Sequence, residues 1–168
     1  MFSIYVIPIS YSICVGVSNC RASEQLIASW SCQLTAPLAA NRSYKTITRR
    51  DLARFAALAD ADRIDFFKRK PDTGRLYAGR LIAVALCQGA ALHYVDGTNG
   101  IKDFDVWSFY DQHPQRPFPY RRRAKVDFGD PKFGKTTDSP QYIGRRVDLI
   151  GRSMRDADAR YDPAAHFV

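Results

Sequence analysis

The 168 residues are 46% hydrophobic and carry a formal net charge of +8 with a pI near 9.5, which suits one domain with a real core and is too short for two ordinary ones. Such a charge favours polyanionic partners, whether nucleic acid, nucleotides or acidic protein surfaces. The sole glutamate is Glu24, so beyond it the chain holds no Glu-x-Lys nuclease motif, no His-Glu-x-x-His zinc helix and no glutamate general base, and any metal chemistry must run on aspartates.

Residues 1–42 differ from the rest, with mixed apolar and hydroxyl residues from Phe2 to Val17, three of the four cysteines and almost no charge. No basic segment precedes the apolar stretch, and Pro8, Ser10 and Ser12 interrupt it. It therefore reads neither as a signal peptide nor as a membrane span. The expectation is an irregular, poorly ordered N-terminal extension. Cys14, Cys20, Cys32 and Cys87 show no Cys-x-x-Cys spacing and no histidine at zinc-finger intervals, so reduced thiols in a cytoplasmic protein are expected.

From residue 43 onward one domain is predicted. Thr48 caps a helix running from Arg49 through Lys70, with Leu52, Phe55, Ala56, Ala59, Ile64 and Phe67 near helical spacing. Lys70-Pro71-Asp72-Thr73-Gly74 breaks it. An apolar run from Leu76 to Cys87 fits a buried strand entering a turn at Gly89, with a short helix over residues 90–95 and an exit turn over residues 96–100. Lys102 to Tyr110 is the next strand. The prolines between His113 and Pro119 end it, and the basic run Tyr120-Arg121-Arg122-Arg123-Ala124-Lys125 leads into a possible strand. A surface loop over residues 129–140, a last strand from Arg145 to Ile150 and a short helix from Ser153 to Arg160 complete the reading.

The chemistry concentrates around Gly89-Ala90-Ala91-Leu92-His93-Tyr94 and Lys102-Asp103-Phe104-Asp105-Val106-Trp107. Strand side chains alternate between faces, so Asp103 and Asp105 share one face while Phe104 and Val106 take the other. Aspartate is disfavoured in strands, and two like charges so close repel unless a cation sits between them. Asp148, in Arg145-Arg146-Val147-Asp148-Leu149-Ile150, is a third carboxylate among apolar neighbours, although it can also simply pair with Arg145 or Arg146. A turn offering backbone N–H groups at a helix start makes an anion site, and Lys102 stands where it can neutralise phosphate charge. Arg121, Arg122 and Arg123, with Lys125, Lys132 and Lys135, can grip a nucleic-acid backbone while Phe118 and Tyr120 stack on bases. His93 reads as a satisfied structural histidine.

This layout, a small-residue turn followed by Asp-x-Asp on the next strand and one carboxylate on a later strand, resembles the nucleotidyltransferase superfamily over roughly residues 77–155. It is similar to the bacterial groups that include the toxin halves of some toxin–antitoxin pairs. The resemblance implies an α/β (α+β) fold, a small mixed sheet flanked by helices. It further implies two Mg2+ ions held by Asp103, Asp105 and Asp148, and an NTP cradled by Gly89 and Ala90 with help from Lys102. Expected partners are the NTP, a nucleic-acid or protein acceptor hydroxyl and an antitoxin-like protein. The family usually has Gly-Gly or Gly-Ser at the turn. Gly89-Ala90 keeps the backbone N–H but supplies no serine hydroxyl, which leaves a second reading: a non-catalytic basic module on a degenerate transferase scaffold that binds nucleic acid or a partner protein.

Overall fold

The computed structural model describes residues 6–10, 41–119 and 122–155. It is an α+β arrangement of three helices and a mixed open sheet. In chain order these are β1 (Val6–Ser10), α1 (Arg49–Arg69), α2 (Pro71–Tyr77), β2 (Leu81–Cys87), α3 (Gln88–Asp96), β3 (Phe104–Asp111), β4 (Arg123–Asp127) and β5 (Arg146–Met154). Four strands form the body of the sheet in the order β2-β3-β5-β4, and β1 lies antiparallel on the β2 edge. Among the described strands only β3 and β5 pair in parallel. The segment 1–42 is thus not irregular throughout, since Val6–Ser10 pairs with β2; residues 1–5 and 11–40 lie outside the described part.

Helix α1 begins where sequence predicts it. Thr48 accepts from the Asp51 N–H while the Asp51 carboxylate accepts from the Thr48 N–H at 2.7 Å, a reciprocal capping box. Phe55, Ala59 and Phe66 recur along its buried face, and the Phe55 ring lies 4.5 Å from Phe104 and 4.8 Å from Phe128 between centroids. Lys70 ends the helix because a residue before proline is pushed out of the α region. The predicted break over residues 70–74 is, however, a change of direction: Pro71 occupies the first position of α2, where its fixed φ suits a helix and its missing N–H costs nothing. The strand accordingly starts at Leu81 and not at Leu76. Gly97, at φ 68, closes α3 in the left-handed conformation.

Alternation along the strands divides the sheet into two faces. Val84, Leu86, Phe104, Val106, Val147 and Leu149 point to the face covered by α1 and α3, where they form the main core with Phe55, Ala59, Ala90 and Ala91. A neighbouring cluster of Phe66, Tyr77, Tyr110 and Phe118 extends that core. Among the described residues the helices therefore pack on one face and do not flank the sheet on both. The opposite face carries Ala85, Cys87, Trp107 and Phe109 together with the aspartates. Ser153 and Met154, expected in a terminal helix, continue β5 instead, opposite Tyr110 and Asp111 of β3; residues 156–160 lie outside the described part.

The loop between β4 and β5 is tied down by Asp127, whose carboxylate accepts from the N–H groups of Gly129, Ile143 and Gly144 at 2.8 to 2.9 Å. A Cβ on Gly144 would stand 2.5 Å from the Asp130 carbonyl oxygen and 2.9 Å from its nitrogen. Both atoms are backbone and cannot turn away. Gly144→Ala is expected to cost about 1 to 3 kcal/mol, read as a lower urea midpoint with unchanged slope.

Candidate functional site

Pairing across the sheet sets Cys87, Asp105, Asp148 and Lys125 in one row: Cys87 opposite Asp105, Asp105 beside Asp148, and Asp148 opposite Lys125. Members of one row point to the same face. The parallel β3–β5 pairing thus brings together two carboxylates distant in sequence, and Asp103, just before β3, joins them through arginine. The Arg146 Nη2 lies 2.6 Å from Asp103 Oδ2 and 3.4 Å from Asp148 Oδ2, while its Nη1 donates to Asp138 Oδ2. From β4, Arg123 Nη2 donates to Asp148 Oδ2 and stands 3.9 Å from Asp105 Oδ1. The structure therefore unites Asp103, Asp105 and Asp148 in one cluster, with guanidinium groups between them. As the side chains stand, no three His, Cys, Asp or Glu groups among the described residues converge as ligands of a single metal ion.

The cluster is short of positive charge. Four carboxylates, from Asp103, Asp105, Asp138 and Asp148, share two ion-paired guanidinium groups. Asp148 is fully buried, and its Oδ1 has no hydrogen-bond partner. A buried, unpaired carboxylate oxygen is costly. Burial, reinforced by the nearby Asp103 carboxylate, pushes Asp105 up to about 6 against the opposing pull of Arg123 and Arg146. Burial and the Asp105 charge likewise push the Cys87 thiol up to about 12, which makes it an unreactive buried hydrophobe.

Because Cys87 is opposite Asp105, helix α3 starts directly beside the carboxylates. Cys87 caps it without a side-chain hydrogen bond, leaving the first-turn N–H groups of Gln88, Gly89 and Ala90 without intrahelical acceptors. The residue that makes the tight entry is Gln88, at φ 61, and not Gly89. A left-handed glutamine is strained by about 1 to 3 kcal/mol, and such strain gathers at ligand sites. Sequence offers no signal for it, since glycine or asparagine is expected there. Gly89 is exposed with open space where a Cβ would be, whereas Ala90 is buried in the core. Lys102 is exposed at the β3 entry, and its carbonyl accepts from Arg145 at 2.7 Å.

Two arginines of the basic run are engaged in ion pairs within the domain. Arg122 pairs with Asp62 at 2.5 Å and lies over the Phe66 ring, and Arg123 is committed to Asp148. Arg121 and Tyr120 lie outside the described residues. Phe118, expected to stack on bases, is buried against Tyr110 with ring centroids 4.4 Å apart. His93 is structural as predicted: its buried Nδ1 accepts from the Gly100 N–H at 3.2 Å, so Nε2 carries the hydrogen facing the Lys45 carbonyl. No helix among the described residues is long and apolar enough to cross a membrane.

What the site lacks as folded is positive charge, and its donor set is one that suits a hard cation. Comparison of the chain with protein-family models, curated proteins and solved structures returns no match, so its function rests on this geometry.

Proposed function

We propose that the domain is a Mg2+-dependent nucleotidyltransferase, moving a nucleoside monophosphate from an NTP to an acceptor hydroxyl. The observation that carries this reading is the carboxylate cluster beside the α3 N-terminus: four aspartates held by two arginines in a chain of net charge +8. With only two ion-paired guanidinium groups among four carboxylates, the cluster has room for added positive charge of the kind Mg2+ supplies. Asp103, Asp105 and Asp148 would hold the metal, with Asp148 Oδ1 free to accept a new ligand. Bound there, Mg2+ supplies neutralisation of charge on the transferring phosphate and activation of the attacking hydroxyl.

The chain's own residues then divide the remaining work. The Arg123 side chain is 45% exposed and has room to swing toward solvent, which opens the cluster and leaves a guanidinium at its rim. The N–H groups of Gly89 and Ala90, in the uncapped first turn of α3, would take an anion with the positive end of the helix behind them. Lys102 adds an exposed charge at the β3 entry. Asp105, close to half protonated near pH 6 without a cation, becomes a full carboxylate ligand once one is bound.

The arginines between the carboxylates equally favour a second reading, a non-catalytic module in which Arg123 and Arg146 replace the metal for good. Transfer of labelled nucleotide to candidate nucleic-acid and protein acceptors, run beside calorimetry of NTP binding with Mg2+, separates the two. The transferase reading expects Mg2+-dependent NTP binding and label incorporation, both lost in Asp103→Asn and Asp105→Asn. Label that ignores these changes, or NTP binding indifferent to Mg2+, refutes it.

A further inference from the structure

A groove of about 570 Å3 opens at the same end of the sheet as the aspartates, on the side toward the helices, and is lined by Arg42, Tyr44, Lys45, Lys132, Phe133 and Arg145 among others. Arg145, just before β5, lines the groove and donates to the carbonyls of Phe133, Asn41 and Lys102, whereas Arg146, the first residue of β5, reaches Asp103, Asp138 and Asp148, so the groove and the carboxylate cluster meet at neighbouring residues. We propose that this groove binds single-stranded nucleic acid and presents its end to the carboxylate cluster as the acceptor. The inference rests on the transferase reading and adds the acceptor class to it.

Three observations carry it. The groove is basic, with four cationic side chains and one carboxylate ion-paired among them, Asp51 on Lys132 at 2.6 Å. The Arg145 guanidinium is buried and spends its Nε and Nη1 on the carbonyls of Phe133, Asn41 and Lys102, so its charge meets no carboxylate hydrogen bond. Tyr44 is 55% exposed yet held in place, with its ring against Gly100 and edge-on to His93 at 6.2 Å. An ordered, exposed aromatic among cations is how proteins bind single strands without reading sequence: bases stack on the ring while Arg and Lys track the phosphates. Isolated phosphate would need the cations but not the ring.

Fluorescence anisotropy of labelled oligo(dT) and oligo(U) with the intact chain tests this, with a mononucleotide and inorganic polyphosphate as competitors. The oligonucleotides should bind with a salt dependence of about two released counterions. Tyr44→Ala should weaken binding about tenfold, with Tyr44→Phe near wild type. Lys45→Glu should weaken it and flatten the salt slope by roughly 0.7. NTP binding with Mg2+ should persist in all three variants. Oligonucleotide affinity unchanged by both Tyr44→Ala and Lys45→Glu overturns the proposal, as does polyphosphate competing as well as the strands while Tyr44→Ala has no effect. Strand binding that survives in a protein whose Asp105→Asn change alters neither Mg2+ nor NTP binding would instead sink the transferase reading and leave the groove standing.

Discussion

Arg146→Ala is expected to destabilise the domain by about 3 to 5 kcal/mol, the usual result of removing one partner from a buried ion pair. Arg146 is 8% exposed and touches Asp103, Asp138 and Asp148. Without it, Asp148 keeps only Arg123, and one of its two oxygens already lacks a hydrogen bond. Thermal or urea denaturation reads the loss. The double change Arg146→Ala with Asp148→Asn should recover much of it, because the neutral amide no longer carries an uncompensated buried charge. Millimolar Mg2+ should also recover part of it, since a ligand of the native state adds stability by mass action. No recovery in either case would mean that Arg146 acts by packing alone.

Asp105→Asn should have the opposite sign in stability and remove activity. Burial and the Asp103 charge raise the folded pKa to about 6, against about 3.9 in the unfolded chain. A raised pKa means the folded state binds the proton more tightly. The associated stability is fully present below about pH 4 and is lost as pH rises through about 6. Above that, ionised Asp105 costs up to about 3 kcal/mol, the equivalent of a two-unit shift. The asparagine has the same shape and no charge. It should therefore match wild type below about pH 4 and exceed it by roughly 1 to 3 kcal/mol at pH 7.5. Adding Mn2+ at pH 7.5 should stabilise wild type and not the variant. On the proposed reading, nucleotide transfer falls by more than about 100-fold, the upper range seen even for outer partners of metal sites. A variant that gains stability while losing transfer marks a residue kept for chemistry. Equal stability of the two proteins at pH 7.5 would contradict the charge-deficit argument.

Local grammar carried much of this fold. Thr48 announced α1, Asp96 to Gly100 announced the end of α3, and the alternation Asp103-Phe104-Asp105-Val106 assigned its faces before any pairing was known. Pro71 misled because proline both ends one helix and begins another, and only packing against α1 decides which. What could not be read was everything that depends on strand order. Asp105 and Asp148 are neighbours because β5 joins β3 in parallel, and Arg123 reaches Asp148 because β4 takes the far edge of β5. For the same reason the triple arginine looked like a solvent-facing grip, while Arg122 folds onto Asp62 and Phe66 and Arg123 enters the carboxylate cluster. Tyr44 joined no motif, and Arg145 was read only as a possible partner of Asp148, because the groove they line is assembled from three separate segments.

The most direct test is a crystal of the domain soaked in Mn2+ with a non-hydrolysable NTP analogue and recorded at the manganese edge. Anomalous density between the carboxylates of Asp103, Asp105 and Asp148, with the Arg123 side chain turned away from Asp148 and the phosphates against the α3 N-terminus, is the expected result. Density absent there, with Arg123 and Arg146 still bridging the aspartates while nucleotide is bound elsewhere, would contradict the assignment of this cluster as a metal site.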